Sequence, residues 1–406
     1  MNCSQDVIII GAGVMGCSIA YHLAGAGLKP LVLERRGIAQ AATSRAAGLL
    51  TRARSKPGLL PLVRQTYEDL RTLETGHGED LGVRRTGSLY VGASERAKRA
   101  HRELMATASA QGEKVLPISA AEALELAQWL SLEGDEEVFF MPEDAFMDGY
   151  ALASAYARAA RGKGARILED RAVLEILLEG QRVSGVRTAQ GCLSSPVVVD
   201  AAGAWANLLA RTAGAAIPMA PVRSHYWITA PDRKFSPRMP FVILPDAKAY
   251  ARPEGPGLLF GFREAQSVYA DPRELPEDLQ GHRVAGDANG WASLEEGAEA
   301  FQKYLPCFGE LAIAHYVAGY STYVPDGMLA VGPLAGVPGL YSAAGCSGGG
   351  VAMAGGVGAA LAQMITGSQP GFDMKPHDPA RFGCFDPFSA EWGQRCASAR
   401  SCKTSG

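Results

Sequence analysis

Asp6-Val-Ile-Ile-Ile10 runs straight into Gly11-Ala-Gly13-Val14-Met15-Gly16, and no other stretch of the chain restricts the fold as tightly. The apolar, β-branched run predicts a strand buried on both faces. Residues 17–26 continue with helical spacing, and residues 28–33 supply a second buried strand that ends at Glu34. Strand, glycine turn, helix, strand and terminal acid together make a βαβ dinucleotide site. Gly11 permits the tight turn, Gly13 lets backbone amides approach a pyrophosphate, and Gly16 lets helix and strand pack closely. Val14 and Met15 open the helix, where unpaired N–H groups and the dipole favour phosphate. Glu34 can accept both ribose hydroxyls of an adenosine and would repel a 2′-phosphate, with Arg35 beside it. This segment alone does not separate a nicotinamide from a flavin dinucleotide.

With 406 residues, two domains are expected. The formal charge, 39 − 42 = −3, gives no strong pull toward nucleic acid or anionic lipid. The 48 glycines exceed the usual share of about 7% and cluster near both ends, which suggests backbone packed against a ligand. Eight cysteines (3, 17, 192, 307, 346, 384, 396 and 402) are scattered with no CxxC pair. They read as free thiols of a reducing compartment, and nothing in their spacing supports a metal site. The first strand begins near Asp6, leaving no room for a removable signal segment, and no apolar run has the length of a spanning helix. The chain therefore reads as cytoplasmic.

Two further glycine-rich segments decide for a flavin. Thr43-Ser44-Arg45-Ala46-Ala47-Gly48-Leu49 resembles the loop that passes over pyrophosphate and flavin in the D-amino-acid oxidase superfamily. Its related groups include glycine oxidase, monomeric sarcosine oxidase and the dimethylglycine dehydrogenases. Val199-Asp-Ala-Ala202-Gly203-Ala-Trp205 resembles the strand and turn that close that superfamily's nucleotide domain. Tyr323-Val-Pro-Asp-Gly327, Val331-Gly-Pro333, Gly339-Leu-Tyr341 and Gly345-Cys-Ser347-Gly348-Gly349-Gly350 then follow in the family's order. The resemblance spans about Asp6 to Phe382, sharpest in these motifs. A nicotinamide enzyme has no need of the last cluster. Amides of Ser347–Val351 opening a helix would stabilise the negative charge of a reduced flavin.

The resemblance implies an α/β fold: a Rossmann-like FAD-binding domain interleaved with an α+β substrate domain built on an antiparallel sheet. Residues 1–85, 145–215 and 316–383 would form the FAD-binding domain, and 86–144 and 216–315 the substrate domain. Residues 150–161 read as a helix, and residues 173–178 and 182–188 as paired strands, with Val173 resembling the position whose backbone meets adenine. Ser119-Ala-Ala-Glu122 is a capping box opening a helix through residue 130. Residues 88–92, 225–229, 250–252 and 258–262 read as strands. Residues 271–289 lack periodicity and read as either a surface loop or a substrate lid. The tail, 384–406, reads as peripheral.

Flavin amine oxidation requires a deprotonated amine, a Cα–H aimed at flavin N5, and a group fixing the far end of the substrate. In D-amino-acid and glycine oxidases an arginine clamp precedes the Pro-Asp-Gly motif, but Ser321 stands there. That departure speaks against a simple D-amino-acid or glycine oxidase. Ser321 also falls near a flavin-tethering cysteine of monomeric sarcosine oxidase, and Arg45 where dimethylglycine dehydrogenases carry a tethering histidine. FAD is thus expected to be non-covalent. Arg54 and Arg252 are the replacement clamps, with Arg52 and Arg263 behind them. His225, with Tyr250, is a candidate for holding the amine and accepting its proton. Trp227 and Phe262 read as core before cage walls. The implied activity is oxidation of a C–N bond, of a secondary or N-methylated amino acid or amine, to an imine that hydrolyses. Oxygen or a redox partner would reoxidise the flavin. A flavin-bearing assembly protein and a quinone-linked dehydrogenase are the competing readings.

Overall fold

The computed structural model describes residues 5–77, 80–284 and 290–403. Ile8–Ile10 forms the central strand of a six-stranded sheet. It pairs in parallel with Leu31–Leu33 on one side and Val198–Asp200 on the other. Arg166–Leu168 extends one edge and Leu340–Ala344 the other, both parallel, and Ala330–Pro333 closes the sheet antiparallel. These strands are short and apolar because helices cover both faces.

The glycine turn enters the helix Val14–Gly25, which lies against the helices Gly149–Gly162 and Gly350–Ile365. The last of these is also packed on Leu60–His77. Small residues set that approach: a Cβ on Gly355 would lie 2.7 Å from Thr66 Cα, and one on Gly356 would overlap Leu62 Cα. Gly355 N donates to Thr66 Oγ1 at 3.0 Å, tying the two helices at this contact.

The second sheet has eight strands, in the order Ile313–Tyr323, Ala220–Thr229, Gly257–Phe262, Ala249–Glu254, Phe241–Leu244, Ser88–Gly92, Glu137–Met141 and Leu116–Ile118. Every pair is antiparallel except Phe241–Leu244 with Ser88–Gly92, two strands separated by a long excursion through the other sheet. Ile313–Tyr323 belongs wholly to this sheet, so it crosses the boundary expected at residue 316. Trp227, Phe260, Phe262 and Phe301 fill the core on one face.

Ser119 and Glu122 make both bonds of the capping box, but the helix ends at Leu126, before residue 130, where Ala127 leaves helical geometry. Residues 271–283 form neither helix nor strand, and positions 285–289 of the presumed loop or lid lie outside the described residues. The tail requires correction. Ser389 caps a helix, Ala390–Ser401, whose Trp392, Cys396, Ala397 and Arg400 are buried against the second sheet. These positions make one helical stripe, and burial of Trp392 and Cys396 fixes it in place. No helix among the described residues is long and apolar enough to cross a membrane.

Candidate active site

A cavity of about 540 Å³ lies between the two sheets. Its walls begin at the carboxyl ends of the parallel strands, where open α/β sheets bind ligands. Of the residues proposed above for cofactor and substrate, Gly16, Ser44, Arg52, Arg252, Gly345 and Ser347 fall outside these walls. The others line the cavity. Phe262 also lines it, whereas Trp227 stays in the core.

At the nucleotide end, the helix Val14–Gly25 starts without a side-chain cap at Gly13. Val14 N donates to Thr43 Oγ1 at 3.1 Å, which ties the second glycine-rich segment to the helix entry. A Cβ on Gly13 would sit 3.3 Å from that oxygen, and one on Gly11 would sit 2.7 Å from the Ala201 carbonyl. Gly16 would overlap the Gly11 carbonyl, so it acts on the packing of the turn from behind the wall. Glu34 Oε2 accepts Ala12 N at 2.7 Å and Oε1 accepts Arg36 N at 2.9 Å, which leaves further lone pairs on each oxygen for hydroxyl donors. Arg35 lies 4.2 Å over the Trp205 ring, and burial holds its pKa below the ordinary value. Trp205 Nε1 is buried with no hydrogen-bond partner among the described residues. A cradle stripped of Cβ atoms, an uncapped helix start, an acid and an orphaned indole donor fit an adenine dinucleotide.

The opposite end is built on the second sheet. Tyr250 faces Gly261 across the ladder, and the glycine leaves room for the phenol ring. Burial pushes the Tyr250 hydroxyl up to about 12, so it donates as a neutral phenol. Arg54 is 4% exposed, and its Nη1 would be 3.7 Å from a Cβ on Gly349. Behind it, Asp144 accepts Ser88 Oγ at 2.6 Å and Arg52 N at 2.7 Å. Burial raises the Asp144 carboxyl to about 7 against the pull of those bonds and of Arg54.

His225 is a correction: alternation puts its fully buried ring on the face of Trp227, opposite Tyr250, so only its backbone borders the cavity. Its Nδ1 is 3.1 Å from Tyr316 Oη, and Nε2 is 3.9 Å from Glu264 Oε1. Glu264 accepts from Arg223, from Ser293 Oγ at 2.9 Å and from Arg400 Nη1 at 3.0 Å. Burial disfavours its charge, but Arg400, Arg223 and His225 outweigh that and keep it below the usual carboxylate range.

Arg252 is a correction. Its Nε donates to the Ala47 carbonyl at 2.7 Å, its Nη1 to Pro253 O at 2.9 Å, and it pairs with Glu254. It shares a face with Tyr250 but stands two residues, roughly 7 Å, further along the strand, beyond the cavity. There it holds the glycine-rich loop from outside. Arg52 is likewise engaged by Glu113 and Glu143. Arg263 does reach the cavity, and so do Cys346, Arg400 and Lys403, which sequence reasoning passed over. Cys346 Sγ lies 3.5 Å from Ser321 Oγ. The signal for Arg400 was present as Ser389 followed by the stripe Trp392, Cys396, Arg400.

A dinucleotide cradle roofed by a second sheet that carries buried cations, a histidine and a tyrosine defines a flavin-dependent oxidoreductase. A model of the FAD dependent oxidoreductase family (DAO) matches residues 6–364, and the chain belongs to this family, with FAD as its cofactor. It is similar to human mitochondrial sarcosine dehydrogenase, 28% identical over 386 residues, covering 93% of this chain and 41% of that protein. Rat mitochondrial dimethylglycine dehydrogenase is 29% identical over 388 residues, covering 93% and 45%. The chain thus spans less than half the length of these curated relatives. Among solved structures, L-proline dehydrogenase from P. horikoshii superposes with a TM-score of 0.83 at 26% identity, covering 94% of this chain and 98% of that one.

Proposed function

We propose that this chain oxidises the C–N bond of an amino acid whose nitrogen is secondary or N-methylated. The observation that carries this reading is Arg54, buried at the end of the cavity beside Gly349, with Tyr250 lining the same space. A guanidinium there offers a planar fork to a substrate carboxylate in a dry site. The names of the relatives, sarcosine, dimethylglycine and L-proline dehydrogenases, support a nitrogen bearing two or more carbons.

Bound FAD supplies the hydride acceptor. The chain's own work is to orient the substrate and exclude water. Arg54 fixes the carboxylate and the Tyr250 hydroxyl meets the nitrogen, so that the neutral amine presents its carbon with the lone pair available. Loss of hydride from the carbon then leaves an imine, and water converts it to a carbonyl compound and an amine. Oxygen or a redox partner takes the two electrons afterwards. FAD is held without a covalent link, and we read the protein as cytoplasmic, a reading supported by the free thiols among the described residues.

The test is anaerobic addition of sarcosine, dimethylglycine, L-proline, glycine and D-alanine to the yellow protein. Bleaching of the flavin band by secondary or tertiary amino acids ahead of the primary ones is the expected result. Bleaching only by the primary amines, or by none, contradicts the reading.

A further inference from the structure

We propose that Lys403, in the segment beyond the family-matched residues, is a substrate-binding residue whose Nζ holds the substrate carboxylate together with Arg54 and Arg263. The proposal rests on the amino-acid reading above and extends it to a residue outside the matched region.

The position is built. Arg400 Nη1 donates to Glu264 Oε2 and to Ser267 Oγ, both at 3.0 Å. Ser267 N donates to Ser401 Oγ at 2.9 Å, and Arg263 Nη1 donates to the Lys403 carbonyl at 2.8 Å. Three ties therefore carry the chain from its last helix down to the cavity. At its end Lys403 Nζ donates to Ser347 O at 3.2 Å and would lie 3.3 Å from a Cβ on Gly348, in the glycine cluster at the flavin end. An ammonium has three N–H groups, so the Ser347 carbonyl leaves two for a ligand.

The charges around it favour an anion. Arg263, Arg54 and Arg400 face Lys403, along with the thiol of Cys346, and Tyr323 Oη borders the same Gly348. Glu264 is committed to Arg400 and Arg223, and no carboxylate among the described residues forms an ion pair with Lys403. Burial, then Arg263 and Arg54, push the Lys403 amine well below its ordinary pKa. A carboxylate arriving among these cations reverses that balance, so ligand binding and proton uptake by Lys403 are coupled.

The test uses the full chain loaded with FAD, as wild type, Lys403→Met and Lys403→Arg. The probe is methoxyacetate, which presents a carboxylate with an ether oxygen in place of the amine. Its Kd is read from the flavin difference spectrum, and calorimetry in two buffers of different ionisation enthalpy counts protons. Lys403→Met should raise Kd by about tenfold or more and abolish proton uptake, while Lys403→Arg stays within about threefold. The neutral methoxyacetamide should bind all three alike. Equal Kd and proton uptake in wild type and Lys403→Met overturn the proposal, as does a wild type that ignores methoxyacetate. Bleaching by secondary amino acids is scored separately. A wild type that binds methoxyacetate but is bleached by no amine sinks the oxidation alone, and a bleached wild type with an indifferent Lys403→Met sinks Lys403 alone.

Discussion

Asp144 shows how a single buried group sets the balance of this site. It accepts bonds from Ser88 and from the Arg52 amide behind Arg54, yet burial raises its carboxyl to about 7. A folded pKa above the unfolded one means that the fold favours the protonated form. That stabilisation is full below about pH 4 and is lost as pH rises through about 7. Asn mimics the neutral acid and can keep both contacts. Relative to wild type, Asp144→Asn should therefore gain about 3 kcal/mol of stability between about pH 5 and about pH 8, read by urea unfolding at each pH. A difference that does not move with pH would mean that Asp144 stays ionised. The same residue scale shows what sequence could not supply. Arg54 and Arg252 read alike in sequence, and alternation places Arg252 on the face of Tyr250. How far along its strand the cavity reaches depends on where the glycine-rich loop crosses, a contact between residues 47 and 252.

Among the elements, the helix Gly350–Ile365 is the most constrained. Its Gly355, Gly356 and Gly358 face Thr66, Leu62 and Ser18 with no space for a side chain. Gly356→Ala should destabilise by about 1–3 kcal/mol through overpacking, despite the better helix propensity of alanine. Gly162→Ala, in open space at the end of its helix, is the control and should be neutral or slightly stabilising. Urea unfolding of both variants checks this, and equal effects would refute the packing argument. Legibility at this scale followed locality. The turn Gly11–Gly16, the helix after it and Glu34 obey rules that act within a few residues, and they were readable. The helix Ala390–Ser401 was legible only in its cap and stripe: what they pack on is set by contacts such as Arg400 to Glu264, 136 positions away, and its mean polarity resembles a tail. The capping box at Ser119 marked where its helix starts but carried no information about where it stops.

For the whole molecule, the chain threads between two sheets so that its first and last glycine-rich segments share one cavity. The helix Val14–Gly25 and the helix Gly350–Ile365 pack side by side and aim their glycine-rich starts at the same space. The most direct test of this arrangement is the amount of FAD released by acid from purified wild type, Gly13→Glu and Gly349→Glu, each first shown to be folded by circular dichroism. The account predicts about one FAD per chain from wild type, all of it in the supernatant, and essentially none from either variant. Full flavin content in Gly349→Glu, or in Gly13→Glu, would contradict it.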